Sequence, residues 1–153
     1  LNWYEADAYT KWSGTALPTE AQWERAARGD DGREFPWGND WDADKCVSNA
    51  KTVGEFMPGF MPVDSSRQSV SPYGVVATAG NVWEWVNDWY QHDYYQTAPD
   101  RNPTGPATGS HKVIRGGCSL YDERFSRAAA RMVQPPQVRD WTCIGFRCVV
   151  AAE

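Results

Sequence analysis

A single mixed α+β domain, with two short helices, several short antiparallel strands and long ordered loops, is the fold class this sequence predicts. Two helix-start signals open the chain, and short β-prone runs stopped by glycine close it. Between them, 13 glycines and 10 prolines in 153 residues punctuate the chain so often that only short regular elements fit. Nine tryptophans, seven tyrosines and five phenylalanines accompany a mean hydropathy of −0.65, which points to large flat side chains pinning loops rather than to a deep aliphatic core.

The first helix starts at Asn2, whose side chain can accept from early N–H groups while Glu5 reaches back. Tyr4, Ala8 and Trp12 share one face by i, i+4 spacing, and Ser13-Gly14 ends the helix. Pro18-Thr19-Glu20-Ala21-Gln22 is a stronger start, with Thr19 as N-cap and Gln22 completing a capping box. Trp23, Ala26 and Ala27 form its expected buried stripe and Gly29 its stop. Periodicity fades from Asp30 to Pro72, where Phe35-Pro36-Trp37-Gly38 and Met57-Pro58-Gly59-Phe60 read as anchored turns, and again from Tyr90 to Gly109. Later strands are expected at Lys112–Arg115, at Arg127–Arg131, and at Ile144–Val150 with Phe146, Cys148 and Val150 on one face.

The densest stretch is Gly80-Asn81-Val82-Trp83-Glu84-Trp85-Val86-Asn87-Asp88-Trp89. As a strand it sets Val82, Glu84 and Val86 on one face and Trp83 and Trp85 on the other, so a carboxylate stands among apolar neighbours. Such a carboxylate needs a cation, backbone N–H groups or a bound metal.

A net charge of −5 without any basic run argues against a nucleic-acid partner. No segment is long and apolar enough to span a membrane. Cys46, Cys118, Cys143 and Cys148 lack CxxC or zinc-ligand spacing, so reduced thiols and a cytoplasmic setting are the expectation. His92 and His111 stand apart from any cysteine or acid pattern that would make a triad.

Five motifs in order carry a resemblance: Leu17-Pro18-Thr19-Glu20-Ala21-Gln22-Trp23-Glu24, Phe35-Pro36-Trp37-Gly38, Gly80-Asn81-Val82-Trp83-Glu84-Trp85, Val113-Ile114-Arg115-Gly116-Gly117 and Gly145-Phe146-Arg147. Together they resemble the formylglycine-generating enzyme, or sulfatase-modifying factor, family. The resemblance runs from Asn2 to Val150 and implies a C-type-lectin-like fold. Family members usually carry further strands upstream, so residues 1–153 are expected to be one such domain without its N-terminal strands.

The family's enzymes use paired cysteines after the Gly-Gly turn to bind copper and oxidise a substrate cysteine. The matching segment here, Cys118 to Arg127, is shorter and holds Cys118 alone, so copper is not expected: soft Cu(I) is held by paired thiolates. The resemblance also implies a structural calcium on oxygens of Gly80, Val82 and Glu84, with a second calcium loop at Asn49. Ala77 stands where an oxygen ligand is usual, which leaves a dry, hydrogen-bonded loop as the favoured alternative. The C-terminal segment is similar as well to variable proteins diversified by retroelements. On that likeness Tyr121, Asp122, Arg124, Phe125, Gln134, Arg139, Asp140 and Trp141 are the expected surface for a protein or small-molecule ligand. A non-catalytic binding domain is therefore the first functional reading, and a copper-dependent cysteine oxidase the competing one.

Overall fold

The computed structural model describes residues 1–46, 60–63, 69–139 and 143–150. Helix α1 spans Trp3–Trp12 and helix α2 spans Glu20–Arg28, each opened by the expected capping box. In α1 the Asn2 side chain accepts from the Glu5 N–H while the Glu5 carboxylate accepts from the Asn2 N–H. In α2, Thr19 and Gln22 exchange the same pair of bonds, so two otherwise unpaired donors are satisfied at each start. Gly29 ends α2 with φ +71°, as its position predicts.

Four strands form one sheet: β1 Trp83–Trp89, β2 Lys112–Arg115, β3 Arg131–Gln134 and β4 Ile144–Phe146, in the order β3-β2-β1-β4. β1–β2 and β2–β3 are antiparallel, as expected. The third pairing departs from that expectation, because β4 lies parallel to β1, with Trp83 opposite Ile144 and Trp85 opposite Phe146. The chain leaves β3 at one edge of the sheet and re-enters at the other edge, which allows this direction.

Alternation along β1 splits the core as the sequence predicts. Trp83 and Trp85 are 1% and 0% exposed and pack with Trp3, Ala6, Leu17, Ile114, Cys118, Cys143 and Ile144. On the opposite face, Val86 and Val113 meet Trp23 and Ala27 of α2 and Ala128. Among the described residues no helix is long and apolar enough to cross a membrane.

Four local expectations are corrected. Helix α1 buries Trp3, Ala6 and Thr10, whereas Tyr4, Ala8 and Trp12 face outward and Trp12 is 80% exposed. Two apolar stripes compete on this helix, and the Trp3 stripe wins because its indole N–H donates to the Val86 carbonyl at 2.8 Å and its ring stacks on Trp89. Helix α2 buries Glu20 with Trp23 and Ala27, and leaves Ala26 half-buried. The strand expected at Arg127–Arg131 begins only at Arg131. Residues 128–130 are withheld from the ladder because their carbonyls accept from the Arg115 guanidinium, Nη2 to Ala128 at 2.9 Å and Nη1 to Ala129 and Ala130 at 3.1 and 2.7 Å. The last strand stops at Phe146 because Arg147 turns inward; Cys148 and Val150 are exposed, and Val149 returns to pair with Ala16.

Arg115 is itself fully buried, flanked by Glu24, Glu20 and the Trp23 ring. Arg115→Met is expected to destabilise the fold by about 3 kcal/mol or more, since three carbonyls and a carboxylate lose their donor together. Chemical denaturation reads this directly; a variant with an unchanged midpoint would show that the guanidinium is not what organises residues 128–130.

Candidate functional site

At the centre of β1 the Glu84 carboxylate is 6% exposed and fully engaged. Arg147 grips it with two bonds, Nε to Oε2 at 2.5 Å and Nη2 to Oε1 at 2.6 Å, and the Trp23 indole N–H donates to Oε2 at 2.6 Å. The same Nη2 reaches the carbonyls of Val76 at 3.3 Å and Ala77 at 3.2 Å. Burial works against the charge on Arg147, and the Glu84 carboxylate more than offsets it, so its pKa is raised. The Glu84 expectation of a cation is therefore met by a guanidinium. Arg147 entered the sequence reading only as part of a motif; an arginine following an apolar strand is the signal that could have marked it as the partner.

This geometry bears on calcium. The carboxylate and two carbonyls converge on Arg147, so a divalent ion at Glu84 would have to displace a buried, bidentate guanidinium. With both its oxygens held by Arg147 and Trp23, the Glu84 carboxylate does not fit a calcium centre in this arrangement. Asn49, and the Asp64 that follows it in the sequence, lie outside the described residues.

Beyond β2 the chain turns at Gly116-Gly117, both at positive φ. A side chain at Gly117 would place Cβ 2.6 Å from the Phe125 carbonyl oxygen, so the turn can close on the following segment only with glycine. Cys118 comes next and is 0% exposed, in the cluster that holds Trp83, Trp85 and Cys143. None of the four cysteines is in a disulfide. A Cu(I) centre calls for thiolates that substrate and oxygen can reach, whereas Cys118 is sealed among aromatic and aliphatic side chains. The segment does not fit the copper centre that the resemblance implies.

Four of the expected binding residues come together after Cys118. Asp122 caps the 3-10 turn Glu123–Ser126 by accepting from the Arg124 N–H at 3.0 Å. Its carboxylate also holds the Arg124 guanidinium, with Nη2 to Oδ2 at 2.6 Å, and that hydrogen bond keeps the Asp122 pKa low. Tyr121 and Phe125 lie 4.9 Å apart and stand edge-on to Trp83 at 5.8 and 6.1 Å, as anchors beneath the exposed Asp122–Arg124 fork. The other two described candidates are placed elsewhere. Gln134 ends β3 opposite Lys112, and Arg139 reaches Glu5 of α1, Nη2 to Oε1 at 2.5 Å. Asp140 and Trp141 lie outside the described residues.

A second buried charge network was not foreseen. Arg131 grips Glu20 at 2.8 and 2.6 Å, and the Tyr95 hydroxyl donates to the same carboxylate at 3.2 Å. Beside it, Asp88 is 2% exposed and accepts the Glu20 N–H at 2.8 Å through Oδ2, while Oδ1 has no hydrogen-bond partner. Lys112 lies between the Trp3 and Trp89 rings at 3.8 and 4.0 Å, and burial pushes its pKa down to about 8.

The model of the sulfatase-modifying factor enzyme 1-like domain matches residues 1–152. The chain belongs to that family. It is 37% identical to the formylglycine-generating enzyme of Streptomyces coelicolor, aligned over 100% of this chain and 52% of that protein. It is 36% identical to the serine/threonine-protein kinase pkn1 of Chlamydia pneumoniae, over 97% of this chain and 23% of the kinase. Among solved structures, PvdO from Pseudomonas aeruginosa is similar with a TM-score of 0.78 and 25% identity, covering 95% of this chain and 58% of that one. Treponema denticola variable protein 1 is similar with a TM-score of 0.63 and 27% identity, covering 86% and 46%. The chain thus spans about half the length of the formylglycine-generating enzyme it matches, and its fold is the C-type-lectin-like α+β fold of this family.

Two measurements test the buried charges. In a double-mutant cycle, Glu84→Gln and Arg147→Met should each cost about 3 kcal/mol, with a favourable coupling between them, because either change alone strands its partner. Additive losses would show that the two side chains act separately. Burial, chiefly, raises the Asp88 pKa from 3.8 to about 6. Between those values the folded state keeps a proton that the unfolded chain has released, so stability from this group falls as pH rises from about 4 to about 6 and is level above. Asp88→Asn should therefore gain about 2 kcal/mol on wild type between pH 4 and pH 7. Parallel pH profiles would refute a raised pKa.

Proposed function

We propose that this chain is a non-catalytic binding domain on the formylglycine-generating-enzyme-like scaffold, with its ligand surface formed by the segment after the Gly-Gly turn. The placement of Cys118 carries this reading. The only cysteine in that segment faces inward and helps to seat Tyr121 and Phe125 on Trp83, so the residues available outside are Leu120, the Asp122–Arg124 fork, Glu123 and Arg127. An anchored turn that presents charged groups loses little entropy when a partner binds. The likeness to a variable protein supports the same reading, and retroelement diversification would act on the outward residues Leu120, Asp122, Glu123 and Arg124 without disturbing Tyr121 and Phe125 below. Arg147 supplies the positive charge that Glu84 needs, so this reading requires no calcium at that carboxylate.

The competing reading, a copper-dependent oxidase that converts a substrate cysteine to formylglycine, draws on the 37% identity to a protein of that name. Titration with Cu(I) separates the two. The binding reading expects no tight stoichiometric uptake, whereas one tightly held equivalent lost in Cys118→Ala would favour the oxidase. For the binding surface, peptides selected against the domain from a display library should lose about thirtyfold in affinity with Arg124→Ala, as for an anchor worth about 2 kcal/mol, and little with Arg139→Ala. Affinity unchanged in Arg124→Ala, with the thermal midpoint retained, would move the surface elsewhere.

A further inference from the structure

Residues 33–46 build a second concave site that the reading above does not use. Phe35 and Gly38 exchange backbone bonds at 2.8 and 3.1 Å, the Arg33 guanidinium donates to the Pro36 carbonyl, and the Glu34 N–H donates to Asn39 Oδ1 at 3.1 Å. The turn is tied to the body by the Ala128 N–H, which donates to the Glu34 carbonyl at 2.7 Å, and by the Cys46 thiol, which donates to Ser126 Oγ at 3.4 Å. Phe35 is buried and forms a floor. Trp37 stacks on it at 5.3 Å and 6°, and Trp41 leans on it at 5.3 Å and 56°. The two half-buried indoles stand 5.9 Å apart at 51° and line a cavity of about 390 Å3 with Asn39, Asp40, Asp42 and Lys45.

The polar rim decides what this cavity suits. The Trp37 N–H is used up on the Asp40 carbonyl at 3.0 Å, which fixes the ring. Among the described residues, the Trp41 N–H and the Asp40 carboxylate make no hydrogen bond, and the Lys45 ammonium sits only loosely against Asp42, at 3.4 Å. Hydrogen-bond donors and acceptors thus both stand beside the aromatic wall. An anion would meet two carboxylates; a quaternary ammonium would be drawn by those carboxylates and the indole faces but repelled by Lys45, and it would use none of the hydrogen-bonding groups, which makes choline the competing ligand to test. A hydroxyl both donates and accepts, and a pyranose adds an apolar C–H face for an indole. We propose that the Trp37–Trp41 cavity is a binding subsite for a neutral sugar unit. Its turn is built before any ligand arrives, which lowers the cost of binding, and its two ties to residues 126 and 128 set it beside the proposed ligand surface without depending on it.

The test follows the tryptophan indole N–H resonances of isotope-labelled protein during titration with glucose, galactose, mannose and N-acetylglucosamine, with choline chloride and inorganic phosphate as counter-probes. At least one sugar should shift the Trp41 resonance saturably, with a dissociation constant in the millimolar range, and Asp40→Ala should weaken that binding by about tenfold. Trp41→Ala should abolish the accompanying sugar-dependent shift of the Trp37 resonance at an unchanged thermal midpoint; should that variant not fold, the Asp40→Ala comparison decides alone. The proposal falls if no sugar shifts Trp41, if binding is unaltered in Asp40→Ala, or if choline or phosphate binds more tightly than every sugar. None of these outcomes touches Arg124, so the failure of this site and the failure of the proposed ligand surface are distinguishable.

Discussion

The structure depends on a carboxylate placed in the middle of a sheet. Glu84 cannot be solvated where β1 puts it, and a buried charge without partners would cost more than the few kcal/mol by which a domain is stable. Three parts of the chain are consequently bound to one point. Helix α2 must present Trp23 from below, the segment after β4 must turn Arg147 inward, and the loop before β1 must bring the Val76 and Ala77 carbonyls to the same guanidinium. Ala77 adopts a left-handed φ of 57° in that loop, a conformation residues with a Cβ seldom take. The parallel pairing of β4 on β1 is part of the same constraint, since it delivers Arg147 immediately past Phe146, opposite the strand that carries Glu84.

A chain with this little regular structure must still find partners for its buried carbonyls. It does so with guanidinium groups. Arg115 takes three consecutive carbonyls that a strand would have paired, and Arg131 holds Glu20 at the start of α2 while its backbone pairs with Arg115 in the sheet. One arginine can satisfy several acceptors in a fixed plane, which lysine cannot. The single buried lysine among the described residues, Lys112, is instead held by two indole faces and one carbonyl.

These arrangements explain what could be read from the sequence. Both capping boxes are local, three residues across, and were legible to the residue; so was the alternation that buries Trp83 and Trp85. Helix α1 was misread because its spacing supports two apolar faces, and only the Trp3 contact with Val86 and Trp89, more than 80 residues away, selects one. The start of β3 and the end of β4 were misread for a related reason. Each boundary is set by an arginine that reaches across the fold, and a propensity count along the chain does not register such a bond. At the candidate site, the turn from Tyr121 to Phe125 is legible as a unit, whereas Gln134 and Arg139, grouped with it on the likeness to variable proteins, sit at the end of β3 and against Glu5 of α1.

A framework whose charges face inward has a consequence for function. Glu84, Arg147, Arg115 and Glu20 satisfy one another in the interior, so the outward residues of 119–125 and of the Phe35–Trp41 turn contribute little to holding the fold. Such positions can change without stranding a buried partner, and exposed substitutions of that kind usually move stability by less than about half a kcal/mol. Relatives of this chain carry names as different as formylglycine-generating enzyme and serine/threonine-protein kinase, and a shared fold does not fix a shared function. In this chain Cys118 belongs to that interior, packed in the cluster of Trp83 and Trp85, while Asp122, Glu123 and Arg124 stand outside it.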